Sequence, residues 1–187
     1  MAITTADFKT GLTIELDGQV WQILEFQHVK PGKGGAFVRT KLRNLEENIV
    51  LDRTFRAGER MEQAHVERKK MQYLYRAGEE YVFMDMDNYD QVSLPAQVVG
   101  EASKFLQDNL EVVFIMHQGR VLAIELPTVI EAEVIETDPG LRGDTATGGS
   151  KPATIETGAV VQVPLFISKG DRIRVDTRTG NYIERAK

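Results

Sequence analysis

Thr13-Ile14-Glu15-Leu16-Asp17-Gly18-Gln19-Val20-Trp21-Gln22-Ile23-Leu24 holds two short strand-forming runs on either side of an Asp-Gly pair. Asp-Gly accommodates the positive φ angles of a two-residue hairpin turn, so the stretch predicts a β-hairpin. The same chemistry repeats outward from it. Phe37-Val38-Arg39-Thr40-Lys41-Leu42-Arg43 alternates charged with uncharged residues, which sets Arg39, Lys41 and Arg43 on one face of a strand. Further strand-like runs are Tyr81–Met84, Leu110–Met116, Val121–Leu126, Val129–Ile135, Val160–Ile167 and Arg172–Val175. Gln118-Gly119, Lys169-Gly170-Asp171 and Thr179-Gly180 supply turns between several of them. Many short strands punctuated by turns predict an all-β protein of small barrels rather than a doubly wound sheet.

Two stretches have helical composition. Pro95 ahead of Ala96 to Gln107 suits a first helical turn, although Gly100 weakens the segment. Glu59 to Met71 is rich in helix formers, yet Met71, Tyr73 and Tyr75 alternate as in a strand, and composition leaves both readings open. Pro127-Thr128 lies between two apolar strands with little chain to spare, which fits a short domain junction. A change in charge balance near residue 65 is a weaker boundary signal. These signals divide the 187 residues into 1–64, 65–128 and 129–187, each near the size at which an isolated domain becomes marginal.

With 42% hydrophobic and 27% charged residues the chain reads as soluble and globular, and no run reaches the roughly 20 apolar residues of a membrane helix. Met1 to Asp7 have no basic region or apolar core, so a secretory signal is not expected and the expected location is cytoplasmic. Without cysteine there are no disulfides and no thiolate metal sites. His28, His65 and His117 lie too far apart in sequence for a zinc motif, so neither metal nor cofactor is expected. The net charge of −5 argues against indiscriminate nucleic-acid binding. Charge is nevertheless uneven. Phe26 to Leu45 contain no acid but hold Lys30, Lys33, Arg39, Lys41 and Arg43, whereas residues 65–128 carry six bases against ten acids. The basic strip is either a place for one polyanion or a solvated strand face.

Lys30-Pro31-Gly32-Lys33-Gly34-Gly35 falls between two apolar strands. Pro31 restricts φ, and Gly32, Gly34 and Gly35 permit positive φ, so the stretch predicts a hairpin tip with Lys33 at its apex. A lysine so placed can enter a crevice too narrow for a domain; an ordinary solvated turn is the plainer alternative. Gly34 stands where a phosphate-binding P-loop needs Ser or Thr. Residues 137–152, rich in Gly, Pro and hydroxyls, form a long loop suited to sugar or base edges, or simply a surface excursion. Asp85 to Asp90 fail the order of a calcium loop, and Gly149-Ser150-Lys151 is not a nucleophile elbow. No nucleophile, base and oxyanion donor assemble, so an enzyme is not expected.

Two stretches carry a family resemblance. One is His28-Val29-Lys30-Pro31-Gly32-Lys33-Gly34 with Ala36-Phe37-Val38-Arg39. The other runs from Asp138-Pro139-Gly140 through Gly143-Asp144-Thr145-Ala146 and Lys151-Pro152-Ala153-Thr154 to Thr157-Gly158-Ala159-Val160-Val161, Val163-Pro164-Leu165-Phe166-Ile167 and Gly170. Asp7-Phe8-Lys9-Thr10-Gly11 and Met71-Gln72-Tyr73-Leu74-Tyr75 also match. Over essentially its whole length the chain resembles the bacterial elongation factor P family. The resemblance implies three small β-barrels in an L-shaped, tRNA-like arrangement: a KOW-type Src-homology-3-like barrel at 1–64 and OB-folds at 65–128 and 129–187. It decides against a helix at 59–71.

The resemblance also implies a function. Members of the family bind the ribosome between the peptidyl and exit sites and promote peptide bond formation where consecutive prolines stall it. Lys33 matches the residue that reaches the acceptor end of peptidyl-tRNA, with Pro31, Gly32, Gly34 and Gly35 shaping its loop. In many members that lysine is lengthened by a modifying enzyme; the sequence does not say whether or how this occurs here. Lys30, Arg39, Lys41 and Arg43 become candidate RNA contacts. Gly143, Asp144 and Thr145 match a loop associated with the small subunit, and Tyr182 and Arg185 match a Tyr-x-x-Arg pattern linked to tRNA or ribosome contact. The expected protein is therefore a monomeric factor, not an enzyme, with the ribosome (both subunits) and peptidyl-tRNA as partners. An elongation-factor-P-like paralogue with different stalling targets is the alternative.

Overall fold

The computed structural model describes residues 1–140 and 149–187, so the expected recognition residues Gly143, Asp144 and Thr145 lie outside the described residues. Internal contacts divide the chain into two units, Met1–Arg68 with Phe114–Ala123 and Lys69–Val113 with Ile124–Lys187. The first begins with β1 (Ala2–Thr4), β2 (Thr13–Leu16), β3 (Gln19–Val29), β4 (Phe37–Asn44), β5 (Val50–Arg56) and β6 (Arg60–Gln63), in the order β1-β6-β2-β3-β4-β5. Every pairing in this sheet is antiparallel. The expected β2–β3 hairpin is present. Leu16 pairs with Gln19 across Asp17 (φ 53°) and Gly18 (φ 77°), two successive positive φ angles that match the strand twist. Ile14, Ile23, Val38, Leu42 and Phe55 point inward with Trp21, and Phe8 closes one end edge-on against Phe55 and Phe26. Burying each such side chain contributes about 1.5–3 kcal/mol.

A second sheet is built from β7 (Glu67–Ala77), β8 (Glu80–Asp85), β9 (Gln91–Pro95), β10 (Glu111–His117) and β11 (Arg120–Glu125), in the order β11-β10-β7-β8-β9. Residues 59–71 therefore fall in β6 and β7, as the alternation of Met71, Tyr73 and Tyr75 allowed. The tip of the β10–β11 hairpin, Gln118 (φ 51°) and Gly119 (φ 75°), belongs to the first unit. There His117 donates from Nδ1 to the His65 carbonyl at 2.8 Å and lies 3.0 Å through Nε2 from Glu15 Oε1. Arg120 pairs with Glu46 at 2.5 Å, and Leu122 packs with Val20 and Ala64.

The helix expected over Ala96–Gln107 is shorter in the structure. Helix α1 (Ala96–Val99) lasts one turn and ends at Gly100, whose φ of 59° leaves the helical region; a 3-10 stretch continues to Phe105. The physical reason is Phe105, which is drawn into the core of the C-terminal barrel. That barrel consists of β12 (Val129–Thr137), β13 (Ser150–Ile155), β14 (Val160–Pro164), β15 (Arg172–Asp176) and β16 (Asn181–Arg185), ordered β14-β13-β12-β15-β16. Ile130, Ala132 and Val134 alternate inward from β12 toward Ile155, Val161, Val163, Ile173 and Val175. Lys104 O accepts from Thr157 (2.6 Å), and Gln107 donates to Glu131 O (2.6 Å), which fastens the 3-10 stretch to this barrel. At the Pro127-Thr128 junction, the Thr177 hydroxyl donates to Pro127 O at 2.6 Å. Among the described residues no helix is long and apolar enough to cross a membrane, and no group of three or more His, Asp or Glu could hold a metal ion.

Candidate functional site

The β3–β4 ladder runs from Trp21↔Asn44 to Val29↔Phe37, so residues 30–36 form the hairpin end and Lys33 is their midpoint. Two side-chain layers hold this ladder. Inside, Val38 and Leu42 anchor β4 in the barrel core; nearer the tip, Phe26 stands edge-on to Phe8 (6.3 Å) and to His28 (5.6 Å). Beyond Phe37 the chain has no such anchors. Lys30, Gly32, Lys33, Gly34 and Gly35 are exposed, and Lys33 makes no hydrogen bond or ion pair among the described residues. Only Gly34 of the three loop glycines takes a positive φ, 96°. Gly32 and Gly35 leave open space where a Cβ would stand, so they keep the tip slender rather than permit its turn. The result is a lysine on a narrow stalk whose base is rigid.

Arg39, Lys41 and Arg43 do share the outer face of β4, with Val38, Thr40, Leu42 and Asn44 turned inward. The strip is less uniform than the sequence implies. Residues directly opposite on antiparallel strands face the same side. Lys41 lies across from Glu25 on β3 and from Asp52 on β5, so acids flank it on both sides. Arg39 faces Gln27 and Thr54, and Arg43 faces Gln22 and Val50. The acid-free window in the sequence is therefore a property of β4 alone. Arg39 and Arg43 are the cations left without an acid directly across, and the Arg39 guanidinium lies 5.6 Å from the Phe37 ring centre.

In the C-terminal barrel, Tyr182 is half-buried against the core and Arg185 is exposed beside Asp171 at 3.9 Å. Phe166, in the sequence no more than a family position, is 61% exposed and has the Arg185 guanidinium 5.6 Å from its ring centre. Its exposure is not legible in a run of apolar letters ending in Ile167, whose side chain is fully buried. Nearby acids are held by arginines. Asp176 accepts from Arg178, which keeps its carboxyl below the usual carboxylate range, and Glu184 pairs with Arg174 at 2.9 Å. Lys151 is buried and donates from Nζ to Asp138 O, and a Cβ on Gly140 would stand 2.6 Å from Leu165 O. Both stems of the long loop are thus tied to the barrel by residues of the family signature.

Three family models match in succession. Residues 4–61 match the Elongation factor P (EF-P) KOW-like domain, 66–124 the Elongation factor P (EF-P) OB domain and 130–185 the model described as Elongation factor P, C-terminal. The chain is 58% identical over 183 residues to an elongation factor P of Pelotomaculum thermopropionicum, covering 98% of this chain and 99% of that one. It is 57% identical over 184 residues to that of Moorella thermoacetica, covering 98% and 100%. A solved structure described as eukaryotic translation initiation factor 5A from Methanococcus jannaschii shares the fold at a TM-score of 0.53 and 24% identity, over 68% of this chain and 92% of that one. A KOW-like barrel joined to OB barrels, with this sequence kinship, defines a translation elongation factor. The chain belongs to the elongation factor P family.

Proposed function

We propose that this protein binds the ribosome between the peptidyl and exit sites and speeds peptide bond formation where consecutive prolines stall it. In this reading the first domain (1–64) delivers Lys33 to the acceptor end of peptidyl-tRNA near the peptidyl transferase centre. Arg39 and Arg43 meet RNA phosphates beside that path, with Lys30 and Lys41 secondary. The third domain (129–187) meets the small subunit through Gly143, Asp144 and Thr145, with Tyr182 and Arg185 at an RNA surface. The observation that carries the reading is the bare lysine at the apex of a slender, anchored hairpin. A side chain with no partner of its own is available to a partner elsewhere.

The chemistry asked of the protein is orientation. Prolyl-tRNA is a poor nucleophile, and holding peptidyl-tRNA in a reactive pose removes part of the entropic barrier that freely moving substrates face. Well-oriented reactants gain up to about 7–11 kcal/mol in favourable cases. No general base from the protein is needed, so it acts as a factor on the ribosome's own reaction. Lengthening of Lys33 by a modifying enzyme would extend the reach of the same stalk without altering this logic. The test is reconstituted translation of a Pro-Pro-Pro template with and without the protein. Faster synthesis of that template, with no change for a proline-free control, is expected. Equal rates on both templates would remove the proposal, and relief confined to other motifs would favour the elongation-factor-P-like paralogue.

A further inference from the structure

A groove of about 690 Å³ opens on the C-terminal barrel between the ends of β13 and β14 and the start of β16, within the roughly 300–1,000 Å³ that ligand clefts occupy. Its floor and walls include Pro164, Leu165, Phe166 and Tyr182, while Gln162 and Asn181 place carboxamides at the rim. Ser150 Oγ donates to Gln162 Oε1 at 3.5 Å, and the Asn181 carboxamide makes no hydrogen bond among the described residues. We infer that this groove binds an unpaired RNA base, stacked on Phe166 and Tyr182 and read at its edge by Asn181 and Gln162.

Four observations support a base rather than an apolar side chain. The groove is walled by two aromatic rings and fringed by amides, which can donate and accept as base edges do. Arg185 covers Phe166 from one side, forming the cation–aromatic platform on which bases stack without strong sequence preference. Among the described residues no acid lines the groove, and three acids of the neighbouring β15–β16 region are engaged by arginines: Asp171 by Arg185, Asp176 by Arg178 and Glu184 by Arg174. A phosphate attached to the base therefore meets no unscreened negative charge from them. Finally, the groove lies at the end of the connection between the first two strands of the barrel, the place where OB-folds take oligonucleotides. The setting, in which RNA is the polymer at hand, rests on the proposed function; the recognition rests on the groove itself.

The test uses the full chain and needs no ribosome. A mixed-sequence single-stranded RNA of about eight nucleotides, inside the 4–16 that one OB-fold spans, is titrated while NMR resonances are followed. Shifts should concentrate on Phe166, Asn181, Tyr182 and Ser150, and a duplex of equal length should leave them in place. Phe166→Ala should weaken binding roughly 5- to 100-fold without lowering the unfolding temperature, because the ring is exposed. Phe166→Tyr, which keeps the ring, should bind as the parent does. Absence of shifts at these residues at millimolar RNA, equal response to duplex, or equal loss in Phe166→Tyr would overturn the inference. So would saturation of the groove by an apolar dipeptide amide with no response to RNA, which would assign it to a protein partner. If the protein fails to relieve Pro-Pro-Pro stalling yet these shifts appear, the functional proposal falls and the groove stands; relief without shifts reverses that outcome.

Discussion

Lys33 and His117 both stand at the ends of hairpins whose tips fall in the first unit, and their surroundings could hardly differ more. The β3–β4 tip is a seven-residue loop, 30–36, in which Lys33 touches no partner among the described residues. The β10–β11 tip is a two-residue turn, and the side chains around it are engaged: His117 is 8% exposed and bonded to Glu15 and the His65 carbonyl, Arg120 meets Glu46, and Leu122 is packed on Val20 and Ala64. In OB-folds the loop between the fourth and fifth strands commonly serves ligand binding. Here that loop serves structure. A hairpin end becomes a probe when proline, glycine and one charged residue occupy it, and a fastening when aromatic, branched and charged side chains find partners.

The largest effect expected of this contrast is functional. Lys33→Ala should reduce relief of Pro-Pro-Pro stalling to the level seen without the protein, while stability changes by no more than about 0.5 kcal/mol. Wild-type relief by this variant, measured in reconstituted translation, would show that Lys33 is no probe. The opposite tip should respond in the opposite way. Leu122→Ala should cost about 2–5 kcal/mol in urea unfolding, the range for emptying a buried leucine site. A cost below about 1 kcal/mol would mean that the β10–β11 tip is not a fastening.

A subtler contrast lies along β4. Replacing Arg39 and Arg43 together by alanine should weaken ribosome binding and flatten its salt dependence by roughly 0.7–0.9 log units for each phosphate no longer neutralised. Lys41→Ala should change the slope far less, because Glu25 and Asp52 already face that ammonium. Equal slopes for Lys41→Ala and either single arginine variant would show that cross-strand acids do not govern the strip. The smallest effect concerns the tip backbone. Gly34→Ala should cost about 1 kcal/mol, since φ is 96° there, and Gly32→Ala almost nothing. Indistinguishable unfolding midpoints would show that the loop relaxes around a side chain at residue 34.

Much of the fold is legible in the sequence because its cues are local. Asp17-Gly18 specifies its own turn, alternation in residues 37–43 specifies which face of β4 is wet, and Lys30–Gly35 reads as a tip before any partner strand is known. The helix at 96–107 is shorter than its composition suggests because helix propensity competes there with a distant gain. Gly100 releases the chain from the helix, and burial of Phe105 among Ile130, Val134 and Ile173 outweighs continued helical bonding. The basic strip is weaker than its letters suggest for a related reason. A one-dimensional window contains no information about which acids another strand sets opposite Lys41.

What the sequence determined by itself is most of the strands, the lysine tip and, through long matching motifs, the family. Each depends on residues near one another along the chain, where turn chemistry and side-chain period act without help. Tertiary structure alone decided which side chains are engaged and which remain available. It set acids opposite Lys41, buried Lys151 against Asp138 O, engaged His117, and left Phe166 facing outward beside Arg185. Availability is a property of neighbours in space, set by strand register and by competition for burial, and no reading of letters in order contains it.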